Sequence, residues 1–332
     1  MTFLLNKTIP FIIGGLIFLF HSVNSFFKPE DDRYDLYNQQ VISGPDKNKG
    51  YKDIICYKEK FLAVGTDGRI DYIDISGERS PAGYICKNDL NCVVYENQML
   101  VIGGADGIIL FSSDGHVFNK VNSGTNNNIN DIVFYNGLLI TGADKGTILI
   151  SLNGKSWSIV HLPVKGNIMS LSANDSFCIG ITDNGEIIRS DDGLNWEITD
   201  YNQEYGGYNK SCKFKKVTVT TKRIVLVGIH NDGSPAVLFS SLGNVWTERS
   251  LIYNDNHGMI QFLRNKPNDI TYDPARDQFI LACDNGELFS LPSCTKCNVL
   301  FKVSSNDLSA VICTDNILVS AGEDFFINII NL

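Results

Sequence analysis

Four glycines, Gly68, Gly107, Gly146 and Gly185, recur at 39-residue intervals, and around them a whole phrase recurs. Gly104 to Phe118 reads GADGIILFSSDGHVF; Gly142 to Trp157 reads GADKGTILISLNGKSW; Ile181 to Trp196 reads ITDNGEIIRSDDGLNW. A turn, a short apolar strand, a second turn and an aromatic residue repeat in that order. A period near 40 residues limits the chain to arrays of small supersecondary units. No unit shows apolar residues at spacings of three and four, so helical solenoids are excluded.

Seven units follow one another, opening at Lys52, Asn91, Asn130, Asn167, Lys216, Asn268 and Asn306. Each holds three β-rich apolar runs separated by turn residues, and then a more polar fourth run such as Trp157 to His161. Four short strands in about 40 residues make the blade of a β-propeller. The expectation is an all-β chain with a seven-bladed propeller of four-stranded antiparallel blades over 51–332, six or eight blades being the alternatives. The first two runs of each unit are apolar on nearly every residue, as strands covered on both faces are. Gly65, Gly104, Gly142 and Gly228 fall at similar places in the second run, where a missing side chain lets sheets approach closely. The seventh unit ends at Leu332 without a fourth run. Tyr34 to Ile42, within the N-terminal segment 26–50, is expected to supply it and so close the ring.

The turn after the third run reads Ser112-Ser113-Asp114-Gly115 and leads to Phe118; it returns as Ser151-Leu152-Asn153-Gly154 before Trp157 and as Ser190-Asp191-Asp192-Gly193 before Trp196. A weaker copy, Ser240-Ser241-Leu242-Gly243, precedes Trp246. The side-chain oxygen of Asp114, Asn153 or Asp192 is suited to accept backbone N–H bonds within the turn. Glycine supplies a positive φ, and the aromatic opens the fourth strand and packs between blades. These phrases resemble the Asp-box, or BNR, repeat of sialidase-like propellers, and also the propeller of photosystem II assembly factors. The resemblance implies a propeller in which the boxes are structural turns. Sialidase catalysis would require an Arg-Ile-Pro phrase and an arginine cluster, and none of the chain's arginines stands in that context.

Residues 1–25 read as an export signal: Lys7 is the only charge, Pro10 to Phe20 is apolar, and Val23-Asn24-Ser25 offers small residues for cleavage. The expected compartment is secreted or periplasmic, with no stable membrane insertion after cleavage. A formal net charge of -9 disfavours nucleic acid as a partner. Of nine cysteines, only Cys294 and Cys297 lie close enough in sequence to suggest a hairpin disulfide. A lone CxxC gives no zinc site, so neither metal nor cofactor is expected.

Two groups of residues are candidates for binding. The long connectors on either side of the fifth unit carry Tyr201, Tyr205 and Tyr208, and then Tyr253, His257 and Arg264; aromatic and polar side chains of this kind suit a sugar or peptide. Asp53, Asp131, Asp269 and Asp307 each open an innermost strand. They are read either as an acidic ring at the channel mouth that holds a cation or polyhydroxylated ligand, or as braces for inter-blade turns. The functional expectation is a monomeric, non-catalytic module that binds a glycan, peptide or protein. The alternatives are a glycoside hydrolase or lyase using channel carboxylates, and an assembly factor for an envelope complex.

Overall fold

The computed structural model describes residues 49–83, 85–204, 211–255, 257–292, 296–314 and 316–332. The expected export signal and the closing strand Tyr34 to Ile42 lie outside the described residues. Within them the chain forms a seven-bladed β-propeller. Blade one is Tyr51–Tyr57, Lys60–Gly65, Ile70–Ile73 and Arg79–Pro81, paired in chain order. Blades two to six repeat that antiparallel order, and blade seven contributes Leu308–Cys313, Ile317–Gly322 and Ile327–Asn331. A two-stranded hairpin, Ile252–Asn254 with Ile260–Phe262, is inserted between blades five and six.

Burial follows the apolar pattern. Second strands such as Phe61 to Gly65 are covered on both faces, whereas fourth strands such as Ser158–His161 are largely exposed. Seven apolar clusters fill the seven seams between neighbouring blades. At the last seam Tyr51, Ile54, Phe61, Ala63 and Ile73 of blade one meet Ala310, Val319 and Ala321 of blade seven, so blade seven packs against blade one. Arg69 pairs with the buried Asp71 at 2.6 Å and also lies over the Phe325 ring, which packs edge-on against Tyr51.

The box turns behave as local chemistry requires. Asp114 Oδ1 accepts N–H bonds from His116 at 2.7 Å and Val117 at 2.9 Å, while Ser112 Oγ accepts from Gly115. Asn153 and Asp192 repeat this arrangement, and their bonds hold the Asp192 carboxyl well below the usual carboxylate range. In the fifth blade Leu242 replaces the acid, and only the Ser240 Oγ bond to Gly243 N remains of this arrangement. Each aromatic wedges against the seam with the preceding blade: Phe118 between blades one and two, Trp157 between two and three, Trp196 between three and four, Trp246 between four and five. Gly115 is required twice over, since its φ is +81° and a Cβ there would lie 2.1 Å from the Tyr57 hydroxyl.

The first strand of every blade carries a bulge near its start. After it, one side chain per blade stands at an equivalent ring position: Asp53, Cys92, Asp131, Ser170, Lys216, Asp269 and Ala310. The bulge explains the Asn-Asp pairs. Asn130 donates from Nδ2 to Ile168 O at 3.0 Å, and Asp131 Oδ2 accepts from Leu171 N at 2.9 Å, both in the next blade. Asn268 and Asp269 clasp Leu308 O and Val311 N in the same way. Asn91 supplies the donor half of the clasp alone, to Ile129 O, and Asp53 the acceptor half alone, from Val93 N. At the final seam Ser309 Oγ donates to Tyr51 O.

The register also divides the four second-strand glycines. Gly65, Gly104 and Gly228 stand beside the bulge of their own blade, where a Cβ would meet a carbonyl oxygen at 2.1–2.3 Å. Gly142 is one step away, equivalent to Gly103, and is the one of the four whose missing side chain makes room for the next blade, at Ile168. Close approach between sheets therefore accounts for one of the four expected positions.

The clasp sets a stability prediction. Asn130→Ala removes donors to Ile168 O and Asp144 Oδ1 and should lower urea-unfolding stability by about 1–3 kcal/mol. Leu152→Ala, at an exposed box position, should change it by less than about 0.5 kcal/mol.

Candidate ligand-binding site

Three of the four expected ring acids converge. Asp53, Asp131 and Asp269 gather around Lys216, which holds the same register position in blade five, and its Nζ lies 3.2 Å from Asp131 Oδ2. Burial pushes Lys216 toward deprotonation, but Asp131, Asp269 and Asp53 together overcome that and hold its ammonium above the ordinary lysine range. Burial raises Asp53 to about 7 against the opposing pull of Lys216, with Asp131 and Asp269 adding repulsion. Asp269 is raised by burial to about 6, opposed by Lys216 and by its bond from Val311 N.

Asp307 is a correction to the expected ring. The first strand of blade seven begins at Leu308, and the residue in ring register is Ala310. Asp307 instead accepts Asn285 N at 2.7 Å, bracing the turn of the preceding blade. Asp89, Asn128 and Asn167 do the same for Asp67, Asp106 and Lys145. Each remaining ring acid gives one carboxylate oxygen to an N–H of the next blade, and a lysine stands among them. The cluster is thus tied into the blades as a charged structural axle, in which one ammonium faces three carboxylates.

The connector residues divide. Tyr205 and Tyr208 lie outside the described residues. Tyr201 is buried, with its ring 5.7 Å from that of Phe214, because the chain makes a helical turn at Tyr201–Glu204 and the first strand of blade five starts early, at Cys212. Tyr253 turns its ring against Phe289 of blade six. His257 is exposed at the hairpin tip, where Asp255 Oδ1 accepts both His257 N and Met259 N. Arg264 is exposed and lines a cleft of about 380 Å³.

That cleft lies between blade five and the inserted hairpin, and its walls include His230, Asp232, Glu248, Arg249, Phe262 and Arg264. Its inner end is fixed by Leu251 and Leu263, which are buried in the seam between blades five and six. Among the described residues the outer strand of the hairpin pairs on one side only, with Ile252–Asn254. Met259, Ile260 and Phe262 on and beside that strand are 60–66% exposed. Sequence reasoning singled out this connector for its polar residues and passed over these three apolar ones. Their alternation along Ile260-Gln261-Phe262 was the available signal. A second groove, of about 660 Å³, lies where blade one meets the box of blade two, but the Tyr57 and Tyr72 hydroxyls there already donate to Asp114 O and Gly115 O.

Cys56, Cys92, Cys178 and Cys283 lie within blade strands, the last three of them buried. Cys297 is buried and donates from Sγ to Ile252 O at 3.6 Å; its expected disulfide partner, Cys294, lies outside the described residues.

Comparison with known proteins gives the fold a context. No protein-family profile matches the chain, and no curated protein matches it in sequence. Among solved structures, YCF48 bound to D1 peptide superposes with a TM-score of 0.65 at 14% identity, over 87% of this chain and 93% of that one. YCF48 from Cyanidioschyzon merolae gives 0.62 at 13%, over 86% and 96%. The WD40 propeller domain of Doa1 gives 0.61 at 12%, over 86% and 93%. The chain is a β-propeller. At such identities the likeness carries the fold alone.

The axial cluster predicts a pH dependence. The folded-state pKa of Asp53, about 7, lies above its unfolded value of about 4. The folded protein therefore holds an extra proton between those values, and this group's contribution to stability is lost as pH rises through about 7. Urea midpoints measured from pH 4 to 8 should fall less steeply toward neutrality in Asp53→Asn than in the wild type. The remaining slope is the share of Asp269.

Proposed function

We propose that the protein is a non-catalytic binding module that takes an extended segment of a partner protein along the hairpin and cleft beside blade five. The observation that carries this reading is the outer hairpin strand, with one edge unpaired among the described residues and Ile260 and Phe262 exposed beside a cleft that also carries Arg249 and Arg264. Exposed, apolar strand edges are prone to pair with another chain, and added strands gain main-chain hydrogen bonds while side-chain pockets set specificity. A peptide strand laid along Ile260–Phe262 would place alternate side chains toward the cleft, where two arginines and two acids offer polar contacts. The likeness in fold to YCF48, seen with a peptide bound, adds a precedent for a propeller of this size in such a role. The apolar run from Pro10 to Phe20 supports export, so the partner is sought outside the cytoplasm.

The reading is tested by screening the exported form against displayed peptides and glycans, then measuring affinity for the selected peptides by fluorescence anisotropy. Peptide binding should weaken at least about tenfold, ~1.4 kcal/mol, in Phe262→Glu and Ile260→Glu. It should persist in Leu194→Glu, which alters an exposed leucine in a box turn. Selection of glycans only, or equal loss in all three variants, would overturn it.

A further inference from the structure

Cys212, His230 and Glu248 follow one another at 18-residue steps, on the first, second and fourth strands of blade five. Antiparallel pairing places Cys212 directly opposite His230. Cys212 Sγ lies 3.3 Å from His230 Nδ1, and His230 Nε2 lies 2.8 Å from Glu248 Oε1. A sulfur, an imidazole nitrogen and a carboxylate oxygen from the three residues all fall within 4.8 Å of one another. We infer that this cluster is a binding site for a zinc-like divalent cation, a property separate from the peptide reading.

The donor chemistry selects the ion. A thiolate and a carboxylate bring two negative charges to a divalent cation, and neutral imidazole completes a mixed S, N, O set. Calcium and magnesium prefer oxygen alone, so the thiol and imidazole argue against them. Tetrahedral zinc with bond lengths of about 2.0–2.3 Å needs its donors closer than 4.8 Å, so Cys212 and Glu248, which meet opposite nitrogens of the His230 ring, must turn toward the same one. Cys212 would ligate as the thiolate, so binding should release the thiol proton.

The surroundings are those of a built site. Cys212 and His230 are buried and Glu248 is half-buried. Asn202 fixes the Cys212 backbone from both sides, accepting its N–H at 2.7 Å and donating to its carbonyl at 3.1 Å. His230 is anchored through its own N–H to Ser234 O. His230 and Glu248 also face the 380 Å³ cleft. That opening gives the ion an entry path and leaves its fourth position accessible, as three-ligand zinc sites do.

The test titrates chelator-treated, full-length exported protein with Zn²⁺, Co²⁺ and Ca²⁺ under reducing conditions. One equivalent of Co²⁺ should produce a thiolate-to-metal charge-transfer band, Zn²⁺ should abolish it by competition and raise Tm, and Ca²⁺ should do neither. Cys212→Ser should lose the band, while Cys297→Ser, a buried thiol elsewhere, should keep it. Glu248→Gln changes a half-exposed side chain and guards against a misfolded Cys212 variant; its Zn²⁺ affinity should fall at least about tenfold. Absence of a stoichiometric band, its survival in Cys212→Ser, or unchanged affinity in folded Glu248→Gln would each overturn the proposal. The peptide-binding variants Phe262→Glu and Ile260→Glu should still bind Zn²⁺, which keeps the two readings separately testable.

Discussion

One constraint runs through the ring: a bulge in the first strand of each blade sets an equivalent ring position, and at blades three and six the side chains there grip the backbone of the next blade. Asn130 and Asp131 show the grip complete, with one side chain donating to a carbonyl and the next accepting an N–H three residues further on. Apolar seams alone supply a non-directional force. The clasp adds direction, because one register alone satisfies both bonds. Buried backbone groups left unpaired would be costly, so blade orientation follows from the bulge.

The same constraint explains the charge at the axis. A carboxylate turned inward to accept an N–H must sit where solvent is scarce, and three such carboxylates repel one another. Lys216 answers that repulsion from blade five, at the cost of its own burial. Removing a partner from a buried charge cluster is more damaging than never having built one. Lys216 therefore belongs to the architecture as much as any apolar residue does.

The positions that repeat around the ring serve the ring, and blade five departs from the repeat at several of them at once. There the ring acid is replaced by Lys216, the box acid by Leu242, the following connector folds into a hairpin, and Cys212, His230 and Glu248 meet across strands. A blade released from the common pattern is where a propeller has room for a site of its own. The cleft and the cation cluster share that blade but use different chemistry: an apolar strand edge in one case, soft donors in the other.

Much of this was legible in the chain because blade turns are local. A serine, an acid or amide and a glycine within four residues specify the box without help from elsewhere, and the seven successive units count the blades. The ring was legible only in part. Asp307 follows an asparagine as Asp131 and Asp269 do, yet the bulge sets register, and no composition signal marks a bulge. Lys216 stood at the head of its unit and was read as a boundary, since its role depends on acids more than 50 residues away on either side. The Cys212 cluster has no short spacing to announce it. Tyr201 looked like a surface residue because the connector seemed to extend to Lys215, whereas the strand had already begun at Cys212.

The clasp is tested most directly by hydrogen exchange at the amide of Leu171, compared between the wild type and Asp131→Ala. Under native conditions the wild-type amide should exchange only through global unfolding. In the variant it should lose at least about tenfold more protection than neighbouring second-strand amides such as Ile179 and Ile181. Equal protection of Leu171 in both proteins, relative to those neighbours, would contradict the claim that inter-blade carboxylates hold the ring.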